Sequence, residues 1–176
     1  DIKIFAGADR ALSRDLVTAE HVHGKTGLDG PELFEPTLPL QEKHAVDFIV
    51  ETIKAEESGT VTLCTIGPLT NIALALALAP EIAKRVQQIV MMGGAYFEQG
   101  NVTPSAEFNV YVDPEAARDV FKSGIPIVMM PLDVTHKVLT TSVRTARIKE
   151  TGTRAALALS EMLLFFERFD EEKYGT

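Results

Sequence analysis

A carboxylate and a carboxamide stand two positions apart in the second half of the chain, at Glu107 and Asn109. In an extended segment such residues project to the same side, and Phe108 between them would point the other way. Together the two groups match the donors and acceptors of sugar hydroxyls. With Asn101 six residues upstream, this segment predicts a sugar-binding site. Asp113, which follows it, is better explained as a helix cap than as a catalytic acid.

A turn after an apolar strand offers a possible metal ligand. Residues 66–71 read Ile-Gly-Pro-Leu-Thr-Asn, and one interpretation is only a tight strand-to-helix turn, which Thr70 and Asn71 fix by hydrogen bonds. The other interpretation uses the backbone carbonyl of Ile66, which has no ladder partner at a strand end. Hard cations such as Ca²⁺ accept backbone carbonyl oxygens as ligands.

Three further segments could contact a ligand. Two glycines after Met92 let a ligand approach the backbone closely, although Met at a strand end is more often part of the core. His23 lies between polar residues and glycines in a long loop, where it is either exposed or part of a mobile lid. Asp133 and His136 follow another strand, where a structural hydrogen-bonded turn explains them at least as well as a function does.

These residues must be positioned by an alternation of strands and helices. The predicted strands are Ile2–Ala6, Thr60–Ile66, Gln88–Met92 and Ile125–Leu132. The predicted helices are Gln41–Ser58, Leu69–Ala79, Asp113–Ser123 and roughly 141–150 and 153–170. The alternation predicts an α/β fold with a mostly parallel sheet, whose strands, Thr60–Ile66 for example, are buried on both faces. Ligands bind beyond the carboxyl ends of such strands, which is where the candidates fall.

Composition narrows the class of protein. The chain has 176 residues, 45% of them hydrophobic, and we expect a single α/β domain over residues 1–176. A net charge of −8 argues against nucleic acid or an anionic membrane as partner. A single cysteine and the lack of a signal peptide favour the cytoplasm. The glycine-rich motifs of dinucleotide and NTP sites do not occur, nor do His-Glu-x-x-His and Gly-x-Ser-x-Gly.

Five segments in this order resemble the inosine-uridine preferring nucleoside hydrolases. They are HGKTGLDG at 23–30, GPLTNIALAL at 67–76, MGGA at 92–95, GNVTPSAEFNVYVDPEAA at 100–117 and PLDVTHKV at 131–138. The resemblance implies a nucleoside hydrolase-like open α/β fold with a Rossmann-like core. It also implies hydrolysis of ribonucleosides to ribose and base through a water oriented by calcium, within nucleoside salvage.

The resemblance assigns a role to each matching position. The Ile66 carbonyl would bind Ca²⁺, and His23 would lie in a mobile loop near the base. The ribose-binding positions would be Met92, Asn101, Glu107 and Asn109, with Phe108 beside the nucleoside. The family's aspartate proton acceptor and other metal ligands have no counterpart in the chain.

We therefore interpret the chain as an internal fragment of a longer nucleoside hydrolase, inactive on its own, from a homodimer or homotetramer. Two alternatives stay open on the sequence. One is a non-catalytic nucleoside- or sugar-binding homologue that lacks the metal aspartates. The other is a structural fragment whose motifs only shape turns.

Overall fold

The computed structural model describes residues 2–175, without the side chains of residues 170, 173 and 174. The strands are β1 (Ile4–Phe5), β2 (Leu40–Gln41), β3 (Val61–Thr65), β4 (Val86–Met92) and β5 (Ile127–Met130). The helices are α1 (Glu20–His23), α2 (Ala45–Ala55), α3 (Thr70–Leu78), α4 (Phe108–Val112), α5 (Pro114–Phe121), α6 (Leu132–Thr135), α7 (Ser142–Glu150) and α8 (Arg154–Tyr174). A 3₁₀ helix covers Pro80–Lys84.

The described residues form two compact units. The sheet unit combines the residues up to Leu16 with Leu38–Lys137, and the helical unit combines Val17–Thr37 with the residues from Val138 onward. All predicted site residues except His23 belong to the sheet unit.

The sheet unit is built on parallel strands. β3, β4 and β5 form one sheet in that order, with Thr65 opposite Met91 and Met92 opposite Met130. β1 and β2 form a second, two-stranded parallel sheet. Helices follow the strands along the chain and pack against them, so the predicted α/β class with a parallel sheet flanked by helices is confirmed.

The core lies between the central strand and its helices. α2 buries Val46, Val50 and Ile53, which recur at helical spacing and so form one apolar stripe. β4 buries Ile89 and Met91 at alternate positions, as a strand with one face on a core does. The side chains that α3 and α5 contribute are mostly small, which allows these two helices to approach each other closely. The most buried of them are Ala75 and Ala116, both with 0% exposure.

Two predictions about the elements need correction. β3 was expected to be buried on both faces, but Cys64 is exposed and its neighbours are only half-buried. Within residues 2–175, β3 lies at an edge of its sheet and pairs only with β4, which explains this exposure. The second correction concerns His23, which ends the short helix α1 instead of lying in a loop.

The helical unit joins α1, α7 and α8. Thr153 caps α8 by accepting a hydrogen bond from the Ala156 N–H at 3.2 Å. The His23 ring stacks on Phe166 at 5.6 Å between centroids, and these contacts attach α1 to α8. In the part of the chain that the structure describes, no helix has the length and apolar character needed to cross a membrane.

Candidate functional site

The candidate site lies at the carboxyl edge of the three-stranded sheet. Because the strands are parallel and in register, Ile66 and Gly93 follow β3 and β4 at the same edge. The end of β5 lies beside Met92 on the other side. Residues that meet the end of β4 are therefore placed where ligands bind in open α/β sheets.

Two glycines make room at the end of β4. A Cβ atom on Gly93 would lie 3.3 Å from Glu107 Oε2 and 3.5 Å from Asn109 Cβ. Gly94 has a φ of +77°, a left-handed conformation that glycine adopts without strain. The absence of a side chain at Gly93 lets Glu107 and Asn109 approach the strand end together, and a side chain at Gly94 would instead meet Met129.

Glu107 is a buried carboxylate with 2% exposure. Its Oε2 atom accepts hydrogen bonds from the Gly94 N–H at 2.8 Å and from the Val110 N–H at 3.2 Å. The second bond caps α4, since Glu107 is the N-cap residue of that helix. Oε1 accepts no hydrogen bond from the described residues. One oxygen of Glu107 is thus fixed by the protein, and the other is available to a ligand.

Asn109 connects α4 to the end of β4. Its Nδ2 group donates to the Met92 carbonyl at 3.1 Å and lies 3.2 Å from the Met92 sulfur. These contacts use the amide nitrogen and leave the amide oxygen as an acceptor. The side chain is half-buried, so the Met92 end of β4 and the amide form one polar surface.

The backbone around this pair differs from the prediction. An extended segment was expected over Glu107–Asn109, but only Glu107 is extended, and α4 begins at Phe108. The cap explains the change, because a carboxylate that accepts from the amide three residues ahead starts a helical turn. Glu107 and Asn109 still lie close together, since both approach Gly93 to within about one contact distance.

Asn101 and Phe108 lie beside the pair. The Asn101 Oδ1 atom accepts a hydrogen bond from the Phe108 N–H at 2.9 Å, which attaches the preceding loop to the start of α4. Asn101 is exposed and Phe108 is half-buried. The structure therefore brings Met92, Asn101 and the Glu107–Asn109 segment together. His23 lies in the helical unit, and its proposed role near a base stays a prediction.

The metal prediction concerns the backbone carbonyl of Ile66, at the end of β3. Ile66 directly follows β3, and its side chain is 87% exposed. Beside it, the Thr65 hydroxyl oxygen is buried and has no hydrogen-bond partner among the described residues. Over residues 2–175 no three His, Cys, Asp or Glu side chains group as metal ligands. The described residues therefore hold no cluster of such side chains that could complete a metal centre with the Ile66 carbonyl.

Thr70 and Asn71 were expected to fix their own turn by hydrogen bonds, but they join it to other segments. The Thr70 hydroxyl donates to Asp113 Oδ2 at 2.7 Å, and the Asn71 Oδ1 atom accepts from the Ala8 N–H at 2.9 Å. Asp113 is completely buried, and it caps α5 as the sequence predicts. It also accepts from the Leu12 N–H at 2.9 Å.

Asp133 makes structural hydrogen bonds, which is one of the two alternatives that the sequence left open, but it makes them to a distant segment. Its carboxylate accepts hydrogen bonds from three consecutive backbone amides, those of residues 96–98, at 2.8, 2.8 and 3.2 Å. These bonds, led by the one from the Tyr96 N–H, hold the pKa of the Asp133 carboxyl below its ordinary value. A side-chain contact between His136 and Glu98 adds to the attachment. The sequence signal was an acidic residue directly after the predicted strand Ile125–Leu132, without any sign of its distant partners.

Comparison with known proteins gives a single family match over the whole chain. The sequence model of the family described as inosine-uridine preferring nucleoside hydrolase matches residues 1–176. A Schizosaccharomyces pombe protein described as uncharacterized is 52% identical over 176 residues, covering 100% of this chain and 57% of its own length. The pyrimidine-specific ribonucleoside hydrolase RihB of Escherichia coli (strain K12 / DH10B) is 44% identical, covering 99% of this chain and 55% of its own.

Solved structures agree with this. A purine-preferring ribonucleoside hydrolase from Gardnerella vaginalis matches with a TM-score of 0.92 and 33% identity, over 99% of this chain and 56% of its own. A plant nucleoside hydrolase, PpNRh1, matches with a TM-score of 0.89 and 31% identity, over 99% and 55%. The chain thus spans somewhat more than half the length of each of these relatives.

Proposed function

Because the chain belongs to the inosine-uridine preferring nucleoside hydrolase family, we propose that the complete protein hydrolyses the N-glycosidic bond of ribonucleosides. The products would be ribose and the free base, in nucleoside catabolism and salvage. The observation that carries the proposal is the convergence of Glu107 and Asn109 on the Met92 end of β4. Relatives include pyrimidine-specific and purine-preferring enzymes, so the proposal covers ribonucleosides as a class.

In this proposal the pair binds the ribose hydroxyls. The free oxygen of Glu107 accepts from one hydroxyl, and the Asn109 amide oxygen accepts from another. Both groups are already fixed on the protein side, so little reorganisation is needed when the sugar binds. Asn101 completes the polar surface, and Phe108 offers an apolar contact to the nucleoside.

The reaction class determines what these residues would do. Water adds to the C1′ carbon of the sugar as the bond from C1′ to the base nitrogen breaks, and the base leaves with a proton. The sugar becomes oxocarbenium-like in the transition state and so gains positive charge. A buried carboxylate such as Glu107 stabilises that charge more strongly than an exposed one would. The aspartate that accepts the proton of water would lie outside this chain.

Calcium is the proposed metal ion. The Ile66 carbonyl suits it as one oxygen ligand at the sheet edge. The remaining ligands would come from polypeptide outside this chain, since the described residues hold no cluster of three His, Cys, Asp or Glu side chains. When bound, the ion would orient the sugar hydroxyls and the attacking water.

We extend the proposal to a cytoplasmic homodimer or homotetramer. A single cysteine gives no disulfide within the chain, as expected in a reducing compartment. The rings of Tyr96 and Phe97 are adjacent and 73% and 90% exposed, and a second subunit could cover this apolar surface. The net charge of −8 disfavours nucleic acid and anionic membranes as partners.

Kinetics of Asn109→Ala in the complete protein test the proposed function. The change removes a polar contact made in the transition state, so transition-state stabilisation should fall by about 2–4 kcal/mol. For inosine and uridine, kcat/KM should therefore fall about 30- to 1,000-fold. Gln87→Ala is the matched control, because Gln87 is an exposed amide near the start of β4, at the other end of that strand from Met92. If Asn109→Ala stays within about threefold of wild type, the sugar-binding role is wrong.

A further inference from the structure

The segment of residues 93–98 is here called the β4 loop. Hydrogen bonds of its backbone groups hold it at both ends. At its start, the Gly93 N–H donates to the Met130 carbonyl at 3.3 Å, and the Gly94 carbonyl accepts from the Leu132 N–H at 3.0 Å. At its end, the amides of residues 96–98 converge on the Asp133 carboxylate. Three consecutive amides around one anion form a compact and strong attachment.

The same loop carries the main donor to Glu107. The Gly94 N–H lies 2.8 Å from Glu107 Oε2, shorter than the 3.2 Å bond from the Val110 N–H. The direction of the Gly94 N–H depends on the course of the loop on both sides of it. Two residues after Gly94, that course is set by Asp133 through the Tyr96 N–H.

We propose that Asp133 is a positioning residue, which fixes the β4 loop so that the Gly94 N–H holds the Glu107 carboxylate in its ligand-binding orientation. Asp133 itself touches no substrate. This inference rests on the proposed function, because it assumes that Glu107 binds the sugar. It assigns a purpose to a carboxylate that the proposed reaction does not otherwise use.

The charge of Asp133 is secure at neutral pH. Its pKa is lowered by the amides that it binds, so it stays ionised down to below the ordinary carboxyl range of about 4. The stabilisation from a lowered pKa is present above that range and is lost as the pH falls through the lowered value. At pH 7, Asp133 is therefore ionised, and the three amide hydrogen bonds to its carboxylate are fully formed.

Kinetics of Asp133→Ala in the complete protein give the first test. A loosened Glu107 weakens the grip on the sugar in both the ground state and the transition state, so KM for uridine should rise several-fold and kcat/KM should fall about tenfold or more. General damage to the fold would instead lower kcat, through fewer active molecules, at an unchanged KM. His136→Ala is the matched control, because it removes a side-chain contact to the same loop and leaves the three amide bonds in place.

A double-mutant cycle then tests whether Asp133 acts through Glu107. In a Glu107→Ala background the carboxylate is gone, so adding Asp133→Ala should change kcat/KM by less than about twofold. An equal, roughly tenfold loss in both backgrounds would overturn the inference and leave the proposed function standing. If Glu107→Ala does not fold, Glu107→Gln in its place should show a smaller but still non-additive effect.

Hydrogen exchange provides a readout independent of catalysis. In Asp133→Ala, the amides of residues 94–98 should exchange at least about tenfold faster than in wild type. The Ile89 amide, which donates to the Pro126 carbonyl within the sheet, should keep its rate. Unchanged exchange at Gly94 overturns the inference whether or not the protein hydrolyses nucleosides. A protein without any hydrolysis but with the expected exchange pattern would refute the function alone.

Discussion

At the scale of single residues, two buried carboxylates have different tasks. Glu107 accepts both of its hydrogen bonds through one oxygen, and the other accepts none from the described residues. Both oxygens of Asp113 accept hydrogen bonds within the protein, from the Ala116 N–H, the Thr70 hydroxyl and the Leu12 N–H. A buried carboxylate with all its capacity used inside the protein is structural, whereas one with an oxygen left over at a sheet edge suits binding.

Asp113→Ala should destabilise the complete protein strongly. It removes the cap of α5 and leaves the Leu12 N–H and the Thr70 hydroxyl without their acceptor, so the free energy of unfolding should fall by about 3 kcal/mol. Urea unfolding measures the loss. Asp119→Ala, an exposed acidic residue of the same helix, should change it by less than about 0.5 kcal/mol. A loss at Asp113 below about 1 kcal/mol would contradict the structural role.

The sequence predicted part of this residue chemistry. An Asp followed by Pro and Glu is a local signal, and it identified Asp113 as a cap because all participants lie within one helical turn. The bonds to Thr70 and Leu12 span 43 and 101 positions along the chain, so no local pattern reveals them. The same limit hid the three amides that Asp133 binds.

At the scale of elements, the longer helices and all described strands except β2 followed from apolar periodicity, with ends that shifted by a few residues. β4 begins two residues earlier than predicted, at Val86, and β5 is shorter than predicted at both ends. The short helix α4 was missed, because five residues are too few for a helical period to emerge and its start depends on the Glu107 cap. Helix α1, of four residues, was missed for the same reason.

Gly94→Ala tests the loop that joins β4 to the site. The left-handed φ of +77° should cost about 1–2 kcal/mol of stability, and the new Cβ would press on the Met129 sulfur at 3.3 Å. The β4 loop must then shift, so we expect kcat/KM to fall about tenfold or more. Steady-state kinetics together with thermal unfolding separate the two effects.

Gly124→Ala is the control for this substitution. Gly124 has a φ of +81° and open space around its Cβ position, so it should show the same loss of stability without loss of activity. An equal effect of both substitutions on kcat/KM would mean that the Gly94 loop has no special relation to the site.

At the scale of the whole molecule, the parallel α/β architecture followed from the order of strands and helices, and the solved relatives share it. The division into a sheet unit and a helical unit could not be predicted from that order. It depends on which distant segments pack together, and the two segments of the helical unit are separated in the sequence by Leu38–Lys137. Apolar periodicity describes each helix and strand without naming its partners.

The affinity for Ca²⁺ should differ strongly between this 176-residue chain and the complete protein. One backbone carbonyl without grouped carboxylates binds Ca²⁺ weakly, so calorimetric titration of the 176-residue chain should give a Kd no tighter than about 1 mM. The complete protein should bind at least about a hundredfold more tightly if the missing ligands are carboxylates. Micromolar binding by the 176-residue chain would contradict the proposed division of ligands.

The bond between Leu12 and Asp113 also affects how the sheet unit is made in the cell. Its two partners are 101 positions apart, so a ribosome adding about 5–20 residues per second needs about 5–20 s to deliver the second after the first. During that interval the Leu12 amide lacks this acceptor. The segment around Leu12 can thus settle on α3 and α5 only once Asp113 has left the exit tunnel.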